Sequence, residues 1–179
     1  KREEDVKRDL KRVADESRKS DEDIKRRLDR LVKEIRELHK KTTDELKKVA
    51  DEVRDRLRKV KDDKDVLRKI LDDLRKMLEE VKRTDDRIVE RLEKLVREVE
   101  RLAEESLKRS KDKLREVIKR VKDIDELRED VKRVEDENRT SLREIKRAIE
   151  KVLDESRKLV EENRRRAEKI IKEVEDTLR

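Results

Sequence analysis

The chain of 179 residues contains no glycine, no proline, no cysteine and no aromatic residue. Because glycine and proline are the usual turn residues, their absence leaves room for few turns. The lack of glycine also excludes phosphate-binding loops and dinucleotide-binding motifs, which need it where the backbone approaches the ligand. Without aromatic side chains there is no aromatic ring that can stack on a nucleic-acid base. Without cysteine the sequence is silent on its redox compartment.

Long hydrophobic runs are missing as well, since the longest apolar run has two residues. A membrane-spanning helix needs about 20 apolar residues, and a secretory signal needs an apolar stretch of about 7–15. The sequence therefore predicts a soluble chain with no membrane partner and no targeting signal, and it leaves the cellular location open.

Charged residues make up 62% of the chain and hydrophobic residues 30%. Lysine and arginine total 59 against 52 aspartates and glutamates, which gives a net charge of +7. Both signs alternate throughout, and even the basic run 164–166 is flanked by Glu161, Glu162 and Glu168. A mixed-charge surface of this kind is typical of solvated faces. We therefore expect no nucleic-acid partner, which would require a basic patch clear of acids.

Apolar residues recur with the period of a helix. From Val6 to Val60 the stripe takes 15 steps over 54 residues, a mean of 3.6, and from Leu127 to Leu178 it takes 14 steps over 51 residues. Although low hydrophobicity with high charge is also compatible with disorder, this periodicity decides for helices with one buried face. A period of 3.6, between those of left- and right-handed supercoils, predicts nearly straight helices.

Two similar segments, 60–66 and 121–127, mark the expected turns. In each, a lysine can face the last carbonyls of one helix and aspartates can cap the next. Asp123 and Glu126 form a variant of the capping box. We predict helices at about 2–60, 64–121 and 125–178, with loops near 61–64 and 122–125, in a single domain of residues 1–179. The fold is expected to be all-α, an elongated, nearly untwisted up-down-up three-helix bundle with helices of about 58 residues.

A third stripe runs from Leu67 to Val121. Polar residues that interrupt the three stripes align in two shared layers once the chain doubles back twice. The first layer is predicted to contain Ser17, Ser20, Ser106, Ser110, Asn138 and Ser141, and the second Thr42, Thr84 and Asn163. A hydroxyl or amide buried alone costs about 1–3 kcal/mol, whereas clustered groups satisfy one another and penalise shifted registers. These residue types are poor metal ligands without carboxylate or imidazole. We therefore interpret the layers as devices that specify the register.

His39 and Ser156 are expected at the edge of the second layer. A metal site would need another histidine or cysteine beside His39, and catalysis would need a nucleophile and an orienting partner. Ser156 could instead bond the carbonyl of Val152, one helical turn earlier. The sequence therefore predicts no catalytic, cofactor-binding or metal-binding residue, no small-molecule ligand and no enzymatic activity.

Taken together, these features resemble computationally designed helical bundles of the antiparallel three-helix type with buried hydrogen-bond layers. The likeness rests on the 3.6-residue stripes, the glycine-free connections, Asp-Glu-Ser at 15–17 and 154–156, Glu-Glu-Ser at 104–106, and polar layers in a Leu/Val/Ile core. It implies a stable, rigid scaffold, with no natural activity, no cofactor and no required partner. The alternative is a coiled-coil component that oligomerises through its helices with copies of itself or a designed partner.

Overall fold

A computed structural model describes residues 2–122 and 124–179, and this part of the chain is almost entirely helical. Helix α1 spans Arg2–Val60, α2 spans Lys64–Arg120 and α3 spans Asp125–Leu178. The predicted all-α, three-helix fold is confirmed, and the second helix ends one residue before the expected position. The prediction of a single domain stays a prediction.

The first loop shows how the chain turns without glycine. Asp63 stands directly before α2, and its Oδ1 accepts bonds from the backbone N–H groups of Asp65 at 3.2 Å and Val66 at 3.3 Å. Its carbonyl accepts the N–H of Leu67 at 3.1 Å, while its own N–H donates to the carbonyl of Val60 at 2.9 Å. Asp63 is therefore the N-cap of α2, since its side chain satisfies N–H groups that the first turn of a helix leaves free.

The second loop leads from α2 into α3. The N–H of Val121 donates to the carbonyl of Ile118, and that of Ile124 donates to the carbonyl of Val121. Asp125 and Glu126 place acidic side chains in the first turn of α3, where the helix dipole favours negative charge. The expected capping box of Asp123 with Glu126 lies outside the described residues. No described residue has a positive φ, so the first turn avoids the conformation that favours glycine.

The helices form two compact units, which we describe separately. Unit 1 comprises Lys1–Leu31 and Lys94–Lys151. Its core packs aliphatic residues of all three helices, among them Val6, Leu114 and Leu127, each at most 1% exposed. Within this unit α1 runs antiparallel to α2, because Asp9 pairs with Arg120 and Ser20 with Ser106. It runs parallel to α3, since its ion pairs there keep a constant separation of 119 residues along the chain.

Unit 2 comprises Val32–Glu93 and Val152–Arg179. Its core includes Leu74, Ile170 and Val174, which are buried to at least 96%. Arg36 and Arg54 of α1 each form two hydrogen bonds to a glutamate of α3, again 119 residues away. These arginines are exposed, so water and salt screen the pairs and they contribute little to stability. Their main consequence is that α1 and α3 lie parallel in one register.

No helix among the described residues combines the length and the apolar character that a membrane crossing requires.

Candidate functional site

The first polar layer lies in unit 1 and centres on Ser110. The hydroxyl of Ser17 donates to Ser110 Oγ at 2.9 Å, and Asn138 Nδ2 donates to the same oxygen at 2.6 Å. Both lone pairs of Ser110 Oγ are therefore used, and one oxygen joins α1, α2 and α3. Ser17 and Ser110 are buried, while Asn138 is half-buried. A polar network of this kind stabilises only the register that brings its members together.

The remaining members of this layer form two further pairs. Ser106 donates to Ser20 Oγ at 2.8 Å and thereby joins α2 to α1. Ser141 of α3 lies near the carboxylate of Asp21 of α1, which was not among the predicted members of the layer. Burial raises the pKa of Asp21, and the nearby hydroxyl of Ser141 opposes that rise. The signal available for Asp21 was its position directly after Ser20, at the edge of the apolar stripe.

The second layer, in unit 2, has members other than those predicted. The hydroxyl of Thr42 donates to the carbonyl of Leu38 at 3.3 Å, within its own helix, and Thr84 is exposed. The prediction that these two threonines meet Asn163 is therefore wrong. A helical stripe admits either of two neighbouring positions at this point. Thr43 bonds Asn163 in place of Thr42, and on α2 the buried residue is Asp85 and not Thr84. A buried aspartate costs far more than a buried threonine, so the burial of Asp85 runs against the usual preference.

Thr43 and Asn163 connect α1 and α3 at this level. The Oγ1 of Thr43 lies 2.8 Å from Asn163 Oδ1 and 2.8 Å from the carbonyl oxygen of His39. Its single proton serves one of these two acceptors at a time. Asn163 is 1% exposed, and its Nδ2 has no hydrogen-bond partner within residues 2–122 and 124–179. The hydrogen-bonding groups at this level are therefore only partly satisfied.

His39 and Ser156 form the other connection between α1 and α3. The ring nitrogen Nε2 of His39 lies 3.2 Å from Ser156 Oγ, and both residues are 1% exposed. Ser156 thus finds its partner on another helix and not at the carbonyl of Val152. Leu38, an apolar residue of the stripe from Val6 to Val60, is 46% exposed, whereas its neighbour His39 is buried. Burial lowers the pKa of His39, because the imidazolium form loses hydration.

Asp85 of α2 is the charged residue buried at this level. It is 0% exposed, and neither carboxylate oxygen finds a hydrogen-bond partner in the described part of the chain. Burial raises the pKa of Asp85 to about 6, Arg164 acts in the opposite direction, and Asp86 adds to the rise. The neighbouring Arg164 donates to Asp86 Oδ1 at 2.8 Å, so its bond goes to the exposed carboxylate and not to the buried one.

Grooves along the helices are open and carry charges of both signs. One on unit 1, with a volume of about 760 Å³, is lined by Arg18, Asp21, Lys25 and Glu144 among other residues of α1 and α3. The described side chains contain no group of three or more histidine, aspartate or glutamate residues placed to hold a metal ion. The two polar layers consist mainly of hydrogen bonds between helices. His39 and Asp85 are the buried groups in them that can bind or release a proton.

No protein-family model matches this chain, and no curated protein matches it either. Among solved structures the chain is similar to a computationally designed three-helix bundle. The two chains are 16% identical, the TM-score is 0.47, and the similarity covers 98% of this chain and 85% of the other. The fold described above rests on the helices and contacts of this chain itself.

Proposed function

We propose that the chain is a designed structural scaffold without natural biochemical activity, in which buried polar layers fix the register of three helices. The observation that carries this proposal is the convergence of Ser17 and Asn138 on the buried oxygen of Ser110. Sliding one helix by a turn would leave these groups facing aliphatic side chains at about 1–3 kcal/mol for each unpaired group. Polar groups that serve this purpose need no ligand, partner or reaction to account for them.

A variant with an apolar first layer tests this role. Replacing Ser17, Ser20, Ser106 and Ser110 with valine and Asn138 with leucine removes the convergent bonds and the Ser20–Ser106 bond and adds buried apolar surface. We expect helicity to stay high and thermal stability to be equal or greater, because buried polar groups contribute less than well-packed apolar ones. The register, however, should no longer be unique, so amide NMR spectra should show more than one set of signals.

A control variant carries three alanines at exposed positions beside the layer, Lys19, Lys111 and Arg139. It should keep a single set of amide signals, as the unchanged protein does. One set of signals from the apolar variant would contradict the assigned role of the layer. Light scattering distinguishes the scaffold from the self-assembling alternative, since a monomer has a mass of 21.9 kDa. A dimer or trimer mass at micromolar concentration would favour assembly through the helices.

A further inference from the structure

Three contacts place the polar groups of unit 2 at one level. Thr43 of α1 meets Asn163 of α3, His39 of α1 meets Ser156 of α3, and Arg164 of α3 meets Asp86 of α2. Asp85 precedes Asp86 in α2 and is fully buried, so its carboxyl group lies inside the unit and not beside Asp86 at the surface. The level therefore contains two ionisable side chains that are almost completely shielded from water, His39 and Asp85.

An ionised Asp85 would lack hydrogen-bond donors for its two oxygens at this level. A carboxylate offers two acceptor oxygens and needs donors for both when water is excluded. The buried nitrogen atoms without partners in the described residues are Asn163 Nδ2, Arg164 Nε and His39 Nδ1, which is a donor in one tautomer, and none of them hydrogen-bonds Asp85. A protonated carboxyl group carries no net charge and avoids most of this cost, because desolvation penalises the ionised form far more.

We infer that Asp85 is a proton-binding site that makes the stability of the folded chain depend on pH, with the packing of unit 2 favouring the neutral carboxyl. The raised pKa of about 6 agrees with this geometry. An exposed aspartate in the unfolded chain has its ordinary pKa of 3.8. Between these two values the folded state binds the proton and the unfolded state does not, so stability falls as the pH rises from about 4 to about 6.

Groups on each neighbouring helix act on this equilibrium in known directions. Arg164 of α3 favours the ionised form of Asp85, and Asp86 of α2 disfavours it. From α1 the titratable group at this level is His39, whose pKa is lowered by burial. The stability that neutral His39 contributes is present above its ordinary pKa of 6.5 and lost as the pH falls. Its effect on stability is therefore opposite in sign to that of Asp85.

The substitution Asp85→Asn isolates the carboxyl group, because asparagine has nearly the same shape and does not titrate. The unfolding equilibrium of the full chain is measured by denaturant titration, followed by circular dichroism, at pH values from 4 to 8. We expect the two proteins to have similar free energies of unfolding at pH 4. As the pH rises, the variant should become more stable than the parent. A pKa difference of about two units makes the folding constant of the variant larger by a factor on the order of 100 at pH 8.

The control substitution is Asp73→Asn, which changes an exposed aspartate of the same helix. It should follow the parent protein at every pH, and His39 is present in all three proteins, so its contribution cancels. Carbon-13 NMR of the Asp85 carboxyl gives a second readout that needs no variant, with a titration midpoint near 6 expected. A titration midpoint near 4 would overturn the inference. A ratio between the folding constants of the parent and of Asp85→Asn that stays constant with pH would overturn it as well.

Discussion

Replacing Ser110 with alanine removes the oxygen on which bonds from α1 and α3 converge in unit 1. Ser17 is 9% exposed, so its hydroxyl is left buried without its partner, at a cost of about 1–3 kcal/mol. Asn138 is half-buried and can turn its amide to water, which adds little. Alanine is the better helix former by about 0.5 kcal/mol and offsets part of the loss. The expected net decrease in the free energy of unfolding is about 1–2 kcal/mol.

A double-mutant cycle with Ser17→Ala makes this prediction specific. In the double variant neither hydroxyl remains, so no unpaired group is buried between α1 and α2. We expect its stability to lie closer to that of the unchanged protein than the sum of the two single substitutions, with a coupling energy of about 1 kcal/mol. Urea denaturation followed by circular dichroism measures all four proteins, and Thr140→Ala serves as an exposed control. Strict additivity, or a Ser110→Ala variant more stable than Thr140→Ala, would refute the reasoning.

Three further substitutions have expected outcomes that thermal or denaturant melts can check. Asn163→Leu should preserve or raise the melting temperature, because Nδ2 of Asn163 is unpaired and Thr43 can still donate to the His39 carbonyl; a melting temperature lower by many degrees would contradict this. Asp63→Ala should cost about 1 kcal/mol through loss of the N-cap of α2, whereas Asp62→Ala in the same loop should cost almost nothing. Leu114→Ala should cost about 2–5 kcal/mol, since Leu114 is 1% exposed in the core of unit 1, and a loss below 1 kcal/mol would be inconsistent with that burial.

The helices could be predicted from the sequence because a 3.6-residue period over more than 50 residues has few alternatives. The loops followed from the clustered aspartates, and Asp63 has the capping role that its position indicated. In the first layer the interruptions are serines and an asparagine surrounded by charged residues, so the members of the stripe were unambiguous. In this layer the residue type and the helical spacing therefore indicated the same positions.

In the second layer residue type and spacing disagreed. Leu38 and His39 fit the helical stripe equally well, as do Thr42 and Thr43, or Thr84 and Asp85. The usual preference buries the leucine and exposes the histidine and the aspartate. The structure does the opposite in both cases: His39 turns inward and bonds Ser156 of another helix, whereas Asp85 is buried without a hydrogen-bond partner in the described residues. Such bonds depend on the relative height of the helices to within one residue, which the sequence pattern does not resolve.

The constant separation of 119 residues between paired positions of α1 and α3 also bears on how each unit assembles. The ion pairs of this seam all close loops of the same length, and its buried contacts close loops of 117 and 120 residues, whereas Ser110 reaches Asn138 across only 28 residues. Loop-closure entropy makes the longer connection costlier by about 1 kcal/mol. All these contacts between α1 and α3 join residues that are distant along the chain. Hairpins of adjacent helices are therefore expected to form first, and α1 packs against α3 late in folding.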